Sequence, residues 1–331
     1  MKGRRTVPPR PIGLLHTRDA RAGKPPREHY PHAIGDRIAG DLTVIGHLAR
    51  GRIGHLYQVW SARDWCTYTC KILSEERRLK RADVAALRRE ARILKRFRHP
   101  NIVRSFGEGE DGGLPYILME YLEGATLFDV IEDQPKRQLM MEDALRTGIH
   151  LGSALYYMHR HGYLHLDLKP ANLILRDQVP VLIDMDAARP YISAGRPSRR
   201  LGTAPYMAPE QVTRTALGPQ ADIYGLGAML YELLTGRWPF EEVYEREDGD
   251  RETLERQFPQ ITGMLPPSPR QFRADLTESL ERTVMMCLAS DPEDRYSSMH
   301  PLLLALAGEL QEPVSLWPPG VSAERRQLPR D

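Results

Sequence analysis

Between Asp41 and Leu73 the apolar residues come in short runs, Leu42-Thr43-Val44-Ile45, Leu56-Tyr57-Gln58-Val59-Trp60 and Thr67 to Leu73, broken by Gly46, Gly51 and Gly54. β-Branched and aromatic runs of this length bounded by glycine predict strands, and their succession predicts an antiparallel sheet. The period then changes. Val84, Leu87, Ala91 and Leu94 recur at steps of three and four, which predicts a helix stopped soon after by Pro100. Glu90 lies about 40° of helical turn from Leu94 at 100° per residue, so a carboxylate is expected at the edge of the buried face. Short strands are predicted again at Ile102-Val103 and from Tyr116 to Glu120. Beyond Gly124 the stripes lengthen, through Leu145, Gly148, Leu151, Leu155 and Met158, then Ile223, Leu226, Leu230 and Leu233. The chain reads as α+β, a small sheet-rich lobe followed by a larger helical one.

The 331 residues, 41% hydrophobic and 27% charged, suffice for a core without disulfide staples. The longest apolar stretch considered, Leu302 to Ala307, is far short of the roughly 20 residues that cross a bilayer, so no membrane span is expected. Met1-Lys2-Gly3-Arg4-Arg5 runs into Pro8-Pro9 with no apolar segment, which argues against a secretory leader. Cys66, Cys70 and Cys287 form no disulfide framework or metal spacing, and a cytoplasmic setting is the expectation. The net charge of +2 is unevenly spread. Residues 1–40 carry nine Lys or Arg against Asp19, Glu28 and Asp36, with six prolines and no apolar period. They read as a basic, disordered arm, with folded structure starting near Asp41 and a second tail over residues 311–331. The arm is either a solubilising tail or a docking segment for an acidic partner; specific nucleic-acid binding is not expected.

Gly51-Arg52-Ile53-Gly54 sits between two predicted strands, where absent side chains let backbone N–H groups approach phosphate oxygens. Glycines at that spacing also occur in ordinary hairpins. Lys71 lies inside the apolar run Tyr68 to Leu73, a costly place for a cation unless it is paired or reaches solvent. Glu90 is the candidate partner. The most specific segment is His165-Leu166-Asp167-Leu168-Lys169-Pro170-Ala171-Asn172, in which Asp167 and Asn172 are five apart, followed by Val181-Leu182-Ile183-Asp184-Met185-Asp186.

With these motifs the chain resembles the protein kinase superfamily. The resemblance continues through Gly202-Thr203-Ala204-Pro205-Tyr206-Met207-Ala208-Pro209-Glu210, Asp222-Ile223-Tyr224-Gly225-Leu226-Gly227 and Asp291-Pro292-Glu293-Asp294-Arg295. It implies a two-lobed kinase domain over about residues 41–310, with the small lobe at about 41–122 and the large lobe at about 123–310. It also implies ATP as cofactor with Mg²⁺ or Mn²⁺, and Ser/Thr sites of proteins as substrates. By the same resemblance Lys71 contacts the α and β phosphates, Glu90 clamps Lys71, and Asp184 with Asn172 holds the metal. Asp167 orients the substrate hydroxyl and Lys169 contacts the γ-phosphate. Leu48, Gly51, Gly54, Leu56, Met119, Glu120, Tyr121 and Leu122 surround the nucleotide. The Lys169 and Thr203 positions are similar to those of the serine/threonine branch, and the whole resembles the eukaryote-like serine/threonine kinases of bacteria. Arg295 is the expected ion-pair partner of Glu210.

Four positions depart from the family pattern. Ala49 stands where a first glycine is usual. Met185-Asp186 replaces Phe-Gly after Asp184, which keeps an apolar filler but removes backbone freedom. Leu166 replaces the Arg that elsewhere pairs with a phosphorylated loop. An active serine/threonine kinase is the expectation; the alternative is a nucleotide-binding scaffold with little turnover.

Overall fold

Burial that alternates residue by residue builds the first half of the chain. In the computed structural model, which describes residues 30–191, 200–245 and 254–310, β1 (Arg37–Ile38) is followed by β2 (Leu42–Arg50), β3 (Gly54–Ser61) and β4 (Cys66–Leu73). Helix α1 (Arg81–Leu94), β5 (Ser105–Asp111) and β6 (Leu114–Glu120) complete the lobe. The six strands form one antiparallel sheet in the order β1-β2-β3-β4-β6-β5. Along β4 the two-residue period sends Tyr68, Cys70 and Ile72 into a small core with Ile38, Leu42, Val44, Tyr57 and Val59. The intervening Thr69, Lys71 and Leu73 therefore face the opposite side, toward α1 and the large lobe.

The folded chain starts earlier than the expected Asp41. Ile38 is fully buried, Arg37 and Ile38 pair with Thr43 and Leu42, and Tyr30 stacks on His47 with ring centroids 4.3 Å apart. A two-residue strand and one ring contact carry no period that a sequence pattern reveals. Residues 1–29 of the basic arm and the tail at 311–331 lie outside the described residues. Ile102-Val103 is not a strand but a single parallel bridge from Ile102 to Leu182, with the Val103 N–H donating to the Leu182 carbonyl at 2.9 Å. Glu90 is not at the edge of the buried face of α1 but within it, between Leu87 and Leu94, at 0% exposure.

The large lobe runs through α2 (Leu127–Glu132), α3 (Met141–Arg160), β7 (Tyr163–Leu164), β8 (Leu173–Arg176), β9 (Val179–Leu182), β10 (Arg189–Pro190), α4 (Pro209–Thr213) and α5 (Pro219–Thr235). It ends with α6 (Glu241–Glu245), α7 (Leu254–Gln257), α8 (Glu278–Cys287) and α9 (Met299–Gly308). Every residue of α5 from Ala221 to Thr235 is buried, as a helix apolar on all sides requires. Gly148 lets α3 approach it: a Cβ there would stand 2.7 Å from Leu230 Cδ2. One continuous core joins Leu87 and Met119 of the small lobe to Leu145, Met185 and Leu230 of the large one. Among the described residues no helix is long and apolar enough to cross a membrane.

Candidate active site

An apolar cleft opens where the sheet meets the large lobe. Its walls include Leu48, Leu56, Met119, Glu120, Tyr121 and Leu122, all expected from the sequence to surround the nucleotide, and Ala49, noted there in place of a glycine, together with Thr69, Val103, Thr126, Ile174 and Ile183, which were not assigned to it. Thr69 had a readable signal, since it is two residues before Lys71 on the same face of β4; Ile174 and Val103 come from elements whose approach only the tertiary fold sets. The β2–β3 turn closes with the Gly51 N–H donating to the Gly54 carbonyl at 2.8 Å. At Gly54 a Cβ would stand 2.1 Å from the Ile72 carbonyl oxygen, so glycine is required there by the neighbouring strand.

Below the turn, the strand and helix periods bring opposite charges together. Lys71 Nζ donates to Glu90 Oε1 and Oε2 at 2.7 and 2.8 Å and to Asp184 Oδ1 at 3.4 Å. Burial works against the Lys71 charge, but Asp184 and Glu90 outweigh it and hold the ammonium above its ordinary value. For Glu90 burial wins, pushing the carboxyl up to about 7 against the pull of Lys71. Burial also opposes the Asp184 charge, yet Lys71 above all, with the Asp186 N–H, brings it down to about 2.

The loop after β7 carries the second group. Thr203 Oγ1 donates to Asp167 Oδ1 at 2.8 Å, Lys169 Nζ lies 3.4 Å from Asp167 Oδ2, and Asn172 Nδ2 donates to the Asp167 carbonyl at 2.9 Å. The Ile183 N–H donates to the Asn172 carbonyl at 3.0 Å, which sets Asn172 beside the strand end that carries Asp184. Neither Asn172 Oδ1 nor Asp184 Oδ2 has a hydrogen bond among the described residues.

Two anchors of this loop had no role in the sequence reading. Asp222 of α5, 1% exposed, accepts from the His165 and Leu166 N–H groups at 2.9 and 2.8 Å and from His159 Nε2 at 2.8 Å. Burial opposes its charge, but the His159 bond leads the contributions that lower it below the usual carboxylate range. Gln211, 2% exposed, donates through Nε2 to the Leu166 and Leu201 carbonyls at 2.9 and 2.8 Å and accepts from the Ala208 N–H at 3.0 Å. Leu166 adopts φ 68° and is buried, so an apolar side chain occupies that position. His165 is buried, its Nε2 2.8 Å from the Asp184 carbonyl, and Met185 is fully buried in the core. Arg295 makes a two-pronged contact with Glu210 at 2.7 and 2.9 Å.

A profile of the protein kinase domain matches residues 42–304. The chain is 32% identical over 272 residues to a probable serine/threonine-protein kinase of Streptomyces coelicolor, covering 79% of this chain and 39% of that protein. It is 34% identical over 225 residues to the serine/threonine-protein kinase PknB of Mycolicibacterium smegmatis, covering 64% of this chain and 33% of PknB. It thus spans little more than a third of the length of these relatives. Among solved structures, the PknI kinase domain of Mycobacterium tuberculosis superposes with a TM-score of 0.63 at 27% identity, covering 83% of this chain and 98% of that one.

Proposed function

The chain belongs to the protein kinase domain family, and from that premise we propose that it transfers the γ-phosphoryl group of ATP to serine and threonine hydroxyls of proteins, itself included. The observation that carries this reading is the convergence of Glu90 and Asp184 on the Lys71 ammonium, at 2.7 and 3.4 Å, beside an Asp167 carboxylate already bonded by Thr203. A scaffold that only bound nucleotide would need none of the second group.

The residues fit a nucleotide with a divalent cation. The cleft is apolar enough for a purine, and the Asn172 and Asp184 oxygens without hydrogen bonds are hard donors of the kind that hold Mg²⁺ or Mn²⁺. Bound there, the cation would neutralise charge on the transferring group. Lys71, held in place by Glu90, presents its ammonium to phosphate oxygens. Asp167, oriented by Thr203, aligns the substrate hydroxyl and takes its proton. Lys169 places a second cation beside the same carboxylate. Most of the rate then comes from positioning and electrostatics. The test is transfer of labelled phosphate with Mg²⁺ and with Mn²⁺, followed by phosphoamino-acid analysis. Phosphoserine and phosphothreonine are expected; dominant phosphotyrosine would overturn the substrate class, and no transfer with either metal would favour the scaffold.

A further inference from the structure

Arg52, at the tip of the β2–β3 turn, and Asp186, two residues past Asp184, are 134 positions apart in sequence and joined in space: Arg52 Nη2 donates to Asp186 Oδ2 at 2.9 Å. The other amino group of Arg52 lies 3.7 Å from Asp83 Oδ1 in the first turn of α1, and Asp83 is also 3.3 Å from Arg77. Asp186 is held from α1 as well. Arg89 Nη2 donates to the Asp186 carbonyl at 3.1 Å and stands 3.9 Å from its Oδ1. The Asp186 N–H in turn donates to Asp184 Oδ1 at 2.9 Å. One aspartate therefore ties together the turn above the cleft, the helix that carries Glu90 and the segment that carries Asp184.

The junction is not saturated. Asp186 Oδ1 and Arg89 Nε are buried without a hydrogen-bond partner, so it has room to tighten. Arg52 itself is 47% exposed on its side chain. A half-exposed ion pair contributes little to global stability, but a contribution of that size is enough to bias a glycine turn that moves when ligand enters and leaves. A glycine at position 186 would offer no side chain to this contact.

We propose that the Arg52–Asp186 pair is a latch that holds the phosphate-binding turn down over the nucleotide, with both side chains acting as positioning residues that set how fast nucleotide leaves. The inference rests on the kinase reading above. Asp186 supplies the fixed end, held by Arg89 from α1. Arg52 supplies the moving end. Opening the turn breaks one charge-assisted bond and closing it remakes the bond, so the latch acts on binding and release rather than on the proton or phosphoryl transfer.

The test is stopped-flow release of N-methylanthraniloyl-ADP from the full chain, in EDTA so that metal binding beside Asp184 plays no part. Arg52→Gln and Asp186→Asn should each speed release about two- to fivefold, the scale of a half-exposed ion pair, and the double variant should be no faster than either single one. Arg52→Lys, which keeps the cation, should retain most of the slow release. Added salt should speed release from the unaltered protein by a larger factor than from the double variant, in which only the contacts to the nucleotide's own phosphates remain to be screened. Release from Asp186→Asn at the unaltered rate would overturn the latch, as would additive effects in the double variant, which would mean that Arg52 acts on the phosphates alone. An unaltered chain that binds no N-methylanthraniloyl-ADP in EDTA or with Mg²⁺ added would overturn the kinase reading along with it.

Discussion

Glu90 is fully buried and its two carboxylate oxygens lie 2.7 and 2.8 Å from the ammonium of Lys71. The pair spans two elements, β4 and α1, so each residue's cost of burial is met by the other, and neither is tolerable alone. Lys71→Met should abolish phosphoryl transfer, and it should also destabilise the fold in a pH-dependent way. Burial already holds Glu90 up at about 7 with Lys71 present, and without the ammonium its value goes higher. A carboxyl whose folded value exceeds its unfolded one contributes its stability in full below the unfolded value and loses it as pH rises through the folded one. Relative to the unaltered protein, the variant should lose about 3 to 5 kcal/mol near pH 8 and much less near pH 5. Urea unfolding at the two pH values measures this; an equal loss at both would show that Glu90 is not the group left stranded.

The bond from Thr203 to Asp167, at 2.8 Å, connects the segment before α4 to the loop after β7. A hydrogen bond to a charged acceptor contributes about 1.5–3 kcal/mol. Thr203→Val should therefore lower kcat by about ten- to a hundredfold with little change in KM for ATP, since Thr203 does not line the cleft. Thr203→Ser, which keeps the hydroxyl, should recover most of the rate. For comparison, Asp167→Asn should cost about 10²- to 10⁴-fold, the range for loss of a proton acceptor. Steady-state kinetics on a peptide substrate separate these outcomes.

What the sequence made legible follows the reach of its signals. Short-range periods located the strands around Lys71 and the helix of Glu90, and fixed spacings picked out Asp167, Asn172 and Asp184. Residues whose importance depends on three-dimensional approach left no such trace. Asp222 was quoted within its motif, but nothing in sequence tells that its carboxylate reaches back across 57 positions to the His165 N–H. Gln211 reads as an ordinary helix residue until its amide is seen bridging two carbonyls. The clearest miss is the stretch from Tyr30 to Gly40. It carries only Asp36, Arg37 and Pro31 of the charges and prolines counted over residues 1–40, but it has no apolar period of its own, and its contribution rests on Ile38 and one stacked ring.

Gln211 bears on regulation. Its amide joins the Leu166 and Leu201 carbonyls, tying the loop that carries Asp167 to the segment before α4 through neutral bonds. The position where related kinases have an arginine to grip a phosphate holds the buried Leu166 instead. Activity should accordingly be independent of phosphorylation between Asp184 and Glu210. Phosphatase-treated protein is expected to keep most of its rate, while Gln211→Leu, which strands both carbonyls, loses about 1–3 kcal/mol of stability. A tenfold drop after phosphatase treatment, about 1.4 kcal/mol of activation free energy, reversed by modification of Ser198, a hydroxyl of that segment that lies outside the described residues, would contradict this.

The N-terminal boundary gives the last prediction. Ile38 sits at 0% exposure in the small core with Leu42, Val44, Tyr57 and Val59, while Tyr30 stacks on His47 and the Ala39 N–H donates to Asp111 Oδ1 at 3.0 Å. These contacts cover one face of the sheet whose other face bears Lys71. Burying an isoleucine side chain contributes about 1.5–3 kcal/mol, and losing the strap also uncovers apolar neighbours beneath it. A chain beginning at Asp41 should therefore unfold at least that much more easily than one beginning at Tyr30, with weaker nucleotide binding as the sheet loosens. Denaturant titration of the two truncated chains measures the difference directly. If they proved equally stable, the strap would be a passive covering and Ile38 would contribute nothing to the sheet that positions Lys71.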